Sequence, residues 1–337
     1  MSAFRFALLG NPVSKSKSPF IFSLFSKLTG MQLEYGLFSC DERNLFSVIK
    51  KLYLDGYSGF NVTLPHKTAV FSLIQDKLPE ASCGALNCVR FIRNDDGMIC
   101  AVSLSSLPPE IAQGSNTDAA AFLWALKEKI AGSGKSCSAK AVPWHEDSFS
   151  DEEKNFLSGK SALIFGTGGA ARASAWAFGK TGFGKVFFCG RSIKKAESLA
   201  VFFRKIFPKT VFSSCEFPAD GIFSIFSESA CNKCFSAADV IVNATPLGMY
   251  GDDNAPQNFA CAGKQNNFKL VADWPYRSGG TSFAKAAEEC GAFIISGQEL
   301  LMRQAVLSLR FWTGMPEDIV SFARRAIEMA RQEGGFF

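Results

Sequence analysis

Two periodicities alternate along the chain. Apolar runs, or apolar residues at every second position, occupy residues 4–9, 33–38, 57–64 and 86–92. Apolar residues spaced for one face of a helix occupy 19–29, 42–54 and 68–75. The first set predicts strands and the second helices, because side chains alternate faces along a strand and return to one face roughly every 3.6 residues along a helix. From 118 to 290 the alternation continues around a glycine-rich turn. Residues 298–334 are nearly all helical, with Leu300, Leu301, Ala305, Leu309 and Trp312 at helical spacing. Repeated strand–helix–strand texture predicts an α/β fold with mostly parallel sheets covered by helices. Two polar, less regular stretches, 131–159 and 212–236, read as insertions.

Composition narrows the class. A chain of 337 residues is long enough for two domains, each with its own core. The 34 phenylalanines read as core filler, and a net charge of +5 is too mild and scattered to argue for nucleic acid. No apolar run approaches the ~20 residues of a membrane span, and the opening "MSAFRFALLG" reads as a first strand, not a signal peptide. Eleven cysteines follow no disulfide framework, which suits a reducing, cytoplasmic compartment. Cys231 and Cys234 lack the second pair or histidine cluster of a zinc site, and Cys88, Cys100 and Cys189 read as buried free thiols.

One glycine motif carries chemistry and another does not. "GSGKS" (132–136) resembles a phosphate loop, but Lys129 stands where its first glycine belongs and a helical run, Ala120 to Ile130, precedes it instead of a strand. In "SALIFGTGGAARASAWAFG" (161–179) an apolar strand runs into Gly166-x-Gly168-x-x-Ala171 and then into a helix. Gly166 permits a tight turn, Gly168 lets backbone approach a pyrophosphate, Ala171 keeps helix and strand close, and the helix N-terminus favours the anion. The next strand, "KVFFCG", ends in Gly190-Arg191-Ser192 with Lys194 and Lys195 beyond. An NAD site expects a carboxylate there. An arginine and two lysines instead suit a 2′-phosphate, so NADP is the expected cofactor.

Polar residues gather at the expected strand ends of the first region: Ser16 and Ser18, Thr63 and Lys67, Asn87, and Asp118. Hydroxyls, an amide, a carboxylate and an ammonium together suit a small polyhydroxylated acid. Pro65 stops its strand and holds Lys67 at a rigid exit. Read singly, Ser18 before Pro19 and Asp118 before "AAAFLWAL" are helix N-caps. His66, beside Lys67, is expected to point elsewhere, and His145 to be solvated. Asn243 and Thr245 are expected to shape a turn before Pro246.

These segments resemble the shikimate dehydrogenase family. "GNPVSKSKSP", "NVTLPHK", "GALNCV", "NTDAAAF", "GTGGAARA", "GRSIKKAESLA", "NATPLGM", "DWPY" and "GQELLMRQAVLSLRFWTG" occur in family order and cover nearly the whole chain apart from the inserts. The resemblance implies a substrate domain of residues 1–117 plus 298–337, with the C-terminal helices folding back onto it, and a Rossmann-like NADP domain of 118–297. It implies Lys67 and Asp118 as the catalytic pair, and Ser16, Ser18, Thr63, Asn87, Asp118, Tyr276 and Gln304 as contacts to shikimate or 3-dehydroshikimate. It implies Gly166, Thr167, Gly168, Gly169 and Ala170 as the diphosphate loop. Gly190, Arg191, Ser192 and Lys195 would hold the adenosine end, and Trp274 and Gly297 would line the nicotinamide pocket. A monomer or homodimer is expected. Cys88, Ala119, Gly190 and the "GQEL" segment depart from the family pattern. A quinate-oxidising relative and an NADP-binding regulatory protein without turnover are the alternatives; a methyltransferase leaves the Arg191 cluster unexplained.

Overall fold

Phe6, Ala7, Leu8 and Leu9 are almost wholly buried along β1 (Phe4–Gly10), so the strand is covered on both faces, as a parallel strand inside an α/β sheet must be. The computed structural model describes residues 3–92, 111–132, 149–216, 234, 235, 237–249, 269–316 and 318–334. Strand β1 lies between β2 (Leu33–Ser39) and β3 (Gly59–Val62), both parallel to it. Beyond β3 come β5 (Cys88–Phe91), β6 (Ala112–Ser115) and the short β4 (Asp76–Lys77), giving the order β2-β1-β3-β5-β6-β4. Strand β5 is antiparallel to both its neighbours, whereas β4 pairs parallel to β6. Asn87 therefore precedes its strand, yet it reaches the same sheet edge as the C-terminal ends of β3 and β6, because Cys88 pairs with Asn61 and Ser115. Helices α1 (Ser18–Thr29), α2 (Leu45–Leu54) and α3 (Lys67–Leu73) connect the strands.

Contacts divide the chain into two units, Met1–Asp118 with Met302–Gly335, and Ala119–Leu301. Two helices contain the dividing points, α4 (Thr117–Gly132) and, in the C-terminal segment, α9 (Gly297–Thr313). Helix α9 is followed by α10 (Ile319–Gln332), whose N-terminus is capped by Asp318 accepting from the Ser321 N–H. In the first unit Trp312 stacks on Phe6 at 4.2 Å between ring centres and donates its indole N–H to the Val89 carbonyl at 2.9 Å. Gly59 makes this possible, since a Cβ there would lie 2.5 Å from the indole nitrogen.

The second unit holds α5 (Asp151–Ser158), β7 (Ser161–Phe165), α6 (Gly169–Thr181), β8 (Lys185–Gly190), α7 (Ile193–Ile206), β9 (Val211–Glu216), β10 (Val240–Asn243), β11 (Leu270–Asp273), α8 (Ser282–Glu289) and β12 (Phe293–Ile295). Its six strands are all parallel, in the order β12-β11-β10-β7-β8-β9. That is the doubly wound dinucleotide-binding order, with its direction of winding reversing between β7 and β10. Of the twelve largest fully buried side chains among the described residues, all but Trp124 are phenylalanines, which fits the core role expected for them. Cys88 and Cys189 are buried free thiols as expected; Cys100, Cys231, His145 and most of both inserts lie outside the described residues. Among the described residues no group of His, Cys, Asp or Glu could hold a metal, and no helix is long and apolar enough to cross a membrane.

Candidate active site

In the first unit the chain leaves β3 through a narrow passage. The Thr63 N–H donates to the Leu9 carbonyl, and Gly10 lies so close that a Cβ there would come 2.3 Å from the Thr63 methyl. After Pro65 the backbone turns into α3, and Lys67 is its first residue. The Lys67 Nζ meets Asp118 Oδ2 at 2.5 Å, with only 16% and 7% of the two side chains exposed. Asp118 sits in the first turn of α4, where the helix dipole favours a carboxylate. The helix begins at Thr117, so Asp118 is inside it and serves as partner to the lysine, not as the N-cap expected from the residue alone.

Ser18 is likewise the first residue of α1 and not its cap. Ser16 Oγ instead accepts from the Ser18 N–H at 3.2 Å and lies 3.2 Å from Ser18 Oγ, so the two hydroxyls form one pair at the helix start. His66 is buried and turned away, as expected, and hydrogen-bonds through Nε2 to the Cys40 carbonyl at 2.7 Å. Burial pushes the Cys88 thiol well above its ordinary range, which leaves it inert.

Asn87 is 2% exposed and held by Thr117: its Oδ1 accepts from the Thr117 N–H at 2.7 Å and its Nδ2 donates to the Thr117 hydroxyl at 3.0 Å. Asn61, buried mid-sheet, donates to the Asn87 carbonyl and to Ser308 Oγ, and accepts from the Tyr35 hydroxyl. Ser308 in α9 donates to the Gln304 carbonyl. Asn61, Thr117 and Ser308 are absent from the residues expected to matter. A polar residue inside an apolar run, as in "GFNV" and "AVLSLRF", was the available signal. Ser16, Ser18, Thr63, Lys67, Asn87, Asp118 and Gln304 all belong to this unit, whereas Tyr276 belongs to the second.

In the second unit the turn after β7 fits a dinucleotide. Gly166 has φ +108°, and a Cβ there would lie 2.8 Å from the Ala244 carbonyl oxygen, so no other residue fits. Gly168, by contrast, would carry a Cβ into open space with no atom within 4 Å, beside the free N–H groups that start α6. Thr167, Gly169 and Ala170 complete this turn. At the end of β8, Arg191, Lys194 and Lys195 are exposed, and Ser192 caps α7 by accepting from the Lys195 N–H at 3.4 Å. The first turn of α7 contains no acidic residue to offset those cations. Gly190 has room for the Thr167 methyl, which a Cβ at 190 would approach to 3.1 Å. A larger side chain there would crowd the glycine turn.

Asn243 and Thr245 form the expected turn, with Asn243 Oδ1 accepting from the Thr245 N–H and hydroxyl. Asn243 Nδ2 also donates to Asp273 at the end of β11, whose other oxygen accepts from the Thr281 hydroxyl at the start of α8. Burial raises the Asp273 carboxyl from 3.8 to about 7, against the lowering effect of those two donors. Trp274 follows, its indole N–H on Ser174 Oγ at 2.9 Å and its ring stacked on Phe122. Gly297 is required by packing: a Cβ would come 2.3 Å from the Pro275 carbonyl oxygen. Leu300, in the "GQEL" segment, is buried.

Residues 8–89 match the family model of the shikimate dehydrogenase substrate binding domain. An NADP(+) shikimate dehydrogenase of Anaeromyxobacter sp. (strain Fw109-5) is 30% identical over 321 residues, covering 94% of each chain. The chain belongs to the shikimate dehydrogenase family. A crystal structure of a family member in complex with NADP+ superposes with a TM-score of 0.70 at 25% identity, covering 97% of this chain and 96% of the other. A quinate dehydrogenase from Corynebacterium glutamicum in complex with NAD also gives 0.70, over 97% and 99% of the two chains; at 22% identity that likeness shows the fold alone.

Proposed function

We propose that the protein is an NADP-dependent shikimate dehydrogenase, which reversibly reduces 3-dehydroshikimate to shikimate in the biosynthesis of aromatic amino acids. The observation that carries this reading is the buried Lys67–Asp118 pair, in the unit that also holds Ser16, Ser18, Thr63 and Asn87. Bound NADP supplies the hydride donor and acceptor. Its diphosphate would be held at Gly166–Ala170 and the N-terminus of α6, and its 2′-phosphate by Arg191, Ser192 and Lys195, with Trp274 and Gly297 near the nicotinamide.

The chain's own work is binding and proton handling. The paired Ser16 and Ser18 hydroxyls receive the substrate carboxylate, and Thr63, Asn87 and Gln304 its ring hydroxyls. An ammonium has three N–H donors, and Asp118 takes one on Lys67. A second can therefore point at the substrate oxygen. In ketone reduction Lys67 gives its proton to the oxygen on which charge develops; in alcohol oxidation the neutral amine takes it back. Asp118 orients the amine throughout and accepts from a neighbouring substrate hydroxyl.

The free thiols support a cytoplasmic setting. The test is NADPH formation by the purified protein with shikimate or quinate, and with NADP or NAD. Turnover chiefly of shikimate with NADP is expected. Turnover chiefly of quinate would move the protein to the neighbouring subfamily, and binding without turnover would make it a regulatory protein on an enzyme fold.

A further inference from the structure

Ser308 lies on α9 with its side chain fully buried, and its hydroxyl stands where three elements of the first unit meet. Its oxygen is 2.9 Å from Asn61 Nδ2, 3.2 Å from Thr117 Oγ1 and 2.8 Å from the Gln304 carbonyl oxygen. The carbonyl is an acceptor only, so the single Ser308 proton goes there. The Ser308 oxygen then accepts from Asn61 and from Thr117. The Cys88 thiol also lies in hydrogen-bond reach of Ser308, and burial keeps it neutral.

That direction propagates to Asn87. The Thr117 N–H fixes which end of the Asn87 carboxamide is oxygen, leaving Nδ2 to donate to the Thr117 hydroxyl. Thr117 Oγ1 receives that N–H and sends its own proton to Ser308. The remaining Asn87 N–H is the donor left for a ligand. Without Ser308, the Thr117 proton turns to Asn87 Oδ1 at 3.2 Å, where it competes with the backbone N–H. Asn61 would at the same time lose the acceptor of one buried donor.

We infer that Ser308 is a positioning residue for substrate binding: through Thr117 it sets the Asn87 amide, and through Asn61 it ties β3 to the helix that carries Gln304. This rests on the reading of the first unit as the shikimate site. The residues expected to contact ligand do not reveal it, because the Ser308 hydroxyl meets Asn61, Thr117 and the Gln304 backbone and none of their ligand-facing groups.

The test is steady-state kinetics on Ser308→Ala, Thr117→Val and the double variant. Ser308→Ala is expected to raise the KM for shikimate about tenfold, the usual scale for a buried donor left unmatched, with kcat changed much less. The KM for NADP should stay within about twofold of wild type. Thr313→Ala is the control, since Thr313 makes the same bond to a carbonyl one turn back on the same helix, at 2.8 Å to Leu309. It should leave the shikimate KM unchanged. On the Thr117→Val background Ser308→Ala should raise it by a smaller factor than on wild type, because the Thr117 route is already cut and the Asn61 route alone remains. An unchanged shikimate KM in Ser308→Ala, or an equal increase on both backgrounds, would overturn the role of Ser308 alone. A wild-type protein that turned over no shikimate would overturn the functional reading, and this role with it.

Discussion

Lys67 and His66 are neighbours in sequence with different fates. The imidazole is spent on the Cys40 carbonyl, inside the protein, while the ammonium reaches a carboxylate and keeps donors to spare. Asp273 is a third case, a carboxyl that burial lifts to about 7. The folded chain thus holds a proton on Asp273 over a range in which the unfolded chain has already released it. Its contribution to stability is full below about pH 4 and is lost as pH rises toward about 7. Asp273→Asn removes that loss while keeping an acceptor for Asn243. Thermal melts of the variant and wild type should therefore diverge in the variant's favour as pH is raised across this interval. A constant difference in Tm would show that Asp273 is ionised in the folded chain throughout.

At the scale of elements, the turns after β7 and β8 do separate jobs. The first leaves open space at Gly168 beside the start of α6, and the second exposes Arg191, Lys194 and Lys195 at the start of α7. Cations at a helix N-terminus are mildly unfavourable by themselves, and on the proposed reading the 2′-phosphate would offset them. Arg191→Ala is expected to raise the KM for NADP by about 10- to 100-fold, the range for losing a charge-assisted hydrogen bond, with little change for NAD. Equal effects on both cofactors would place Arg191 elsewhere. The strands, helices and glycine turn were legible because each is written in local periodicity. Strand β6, "AQGS", was not, since it has no apolar alternation and exists through pairing with β4 and β5. The reversed direction of β5 was illegible for the same reason. Ser308 was hidden more deeply: its partners Asn61 and Thr117 are 247 and 191 residues away.

For the molecule as a whole, the C-terminal segment is part of the first unit's core. Trp312 is 7% exposed, stacks on Phe6 and closes over Gly59. Trp312→Ala should cost about 3–5 kcal/mol, the usual scale for emptying an aromatic site, read as a lower urea midpoint by circular dichroism. A loss below about 1 kcal/mol would show that α9 docks without it. The same unit carries the Lys67–Asp118 pair on which the functional reading rests. The most direct measurement is the single-turnover rate of 3-dehydroshikimate reduction with enzyme-bound NADPH at saturating ligand, for wild type and Lys67→Ala. Loss of proton transfer predicts a rate at least about 100-fold slower in the variant, with substrate affinity reduced far less. A variant that reduced the ketone at the wild-type rate would contradict the assignment of Lys67 to the chemistry.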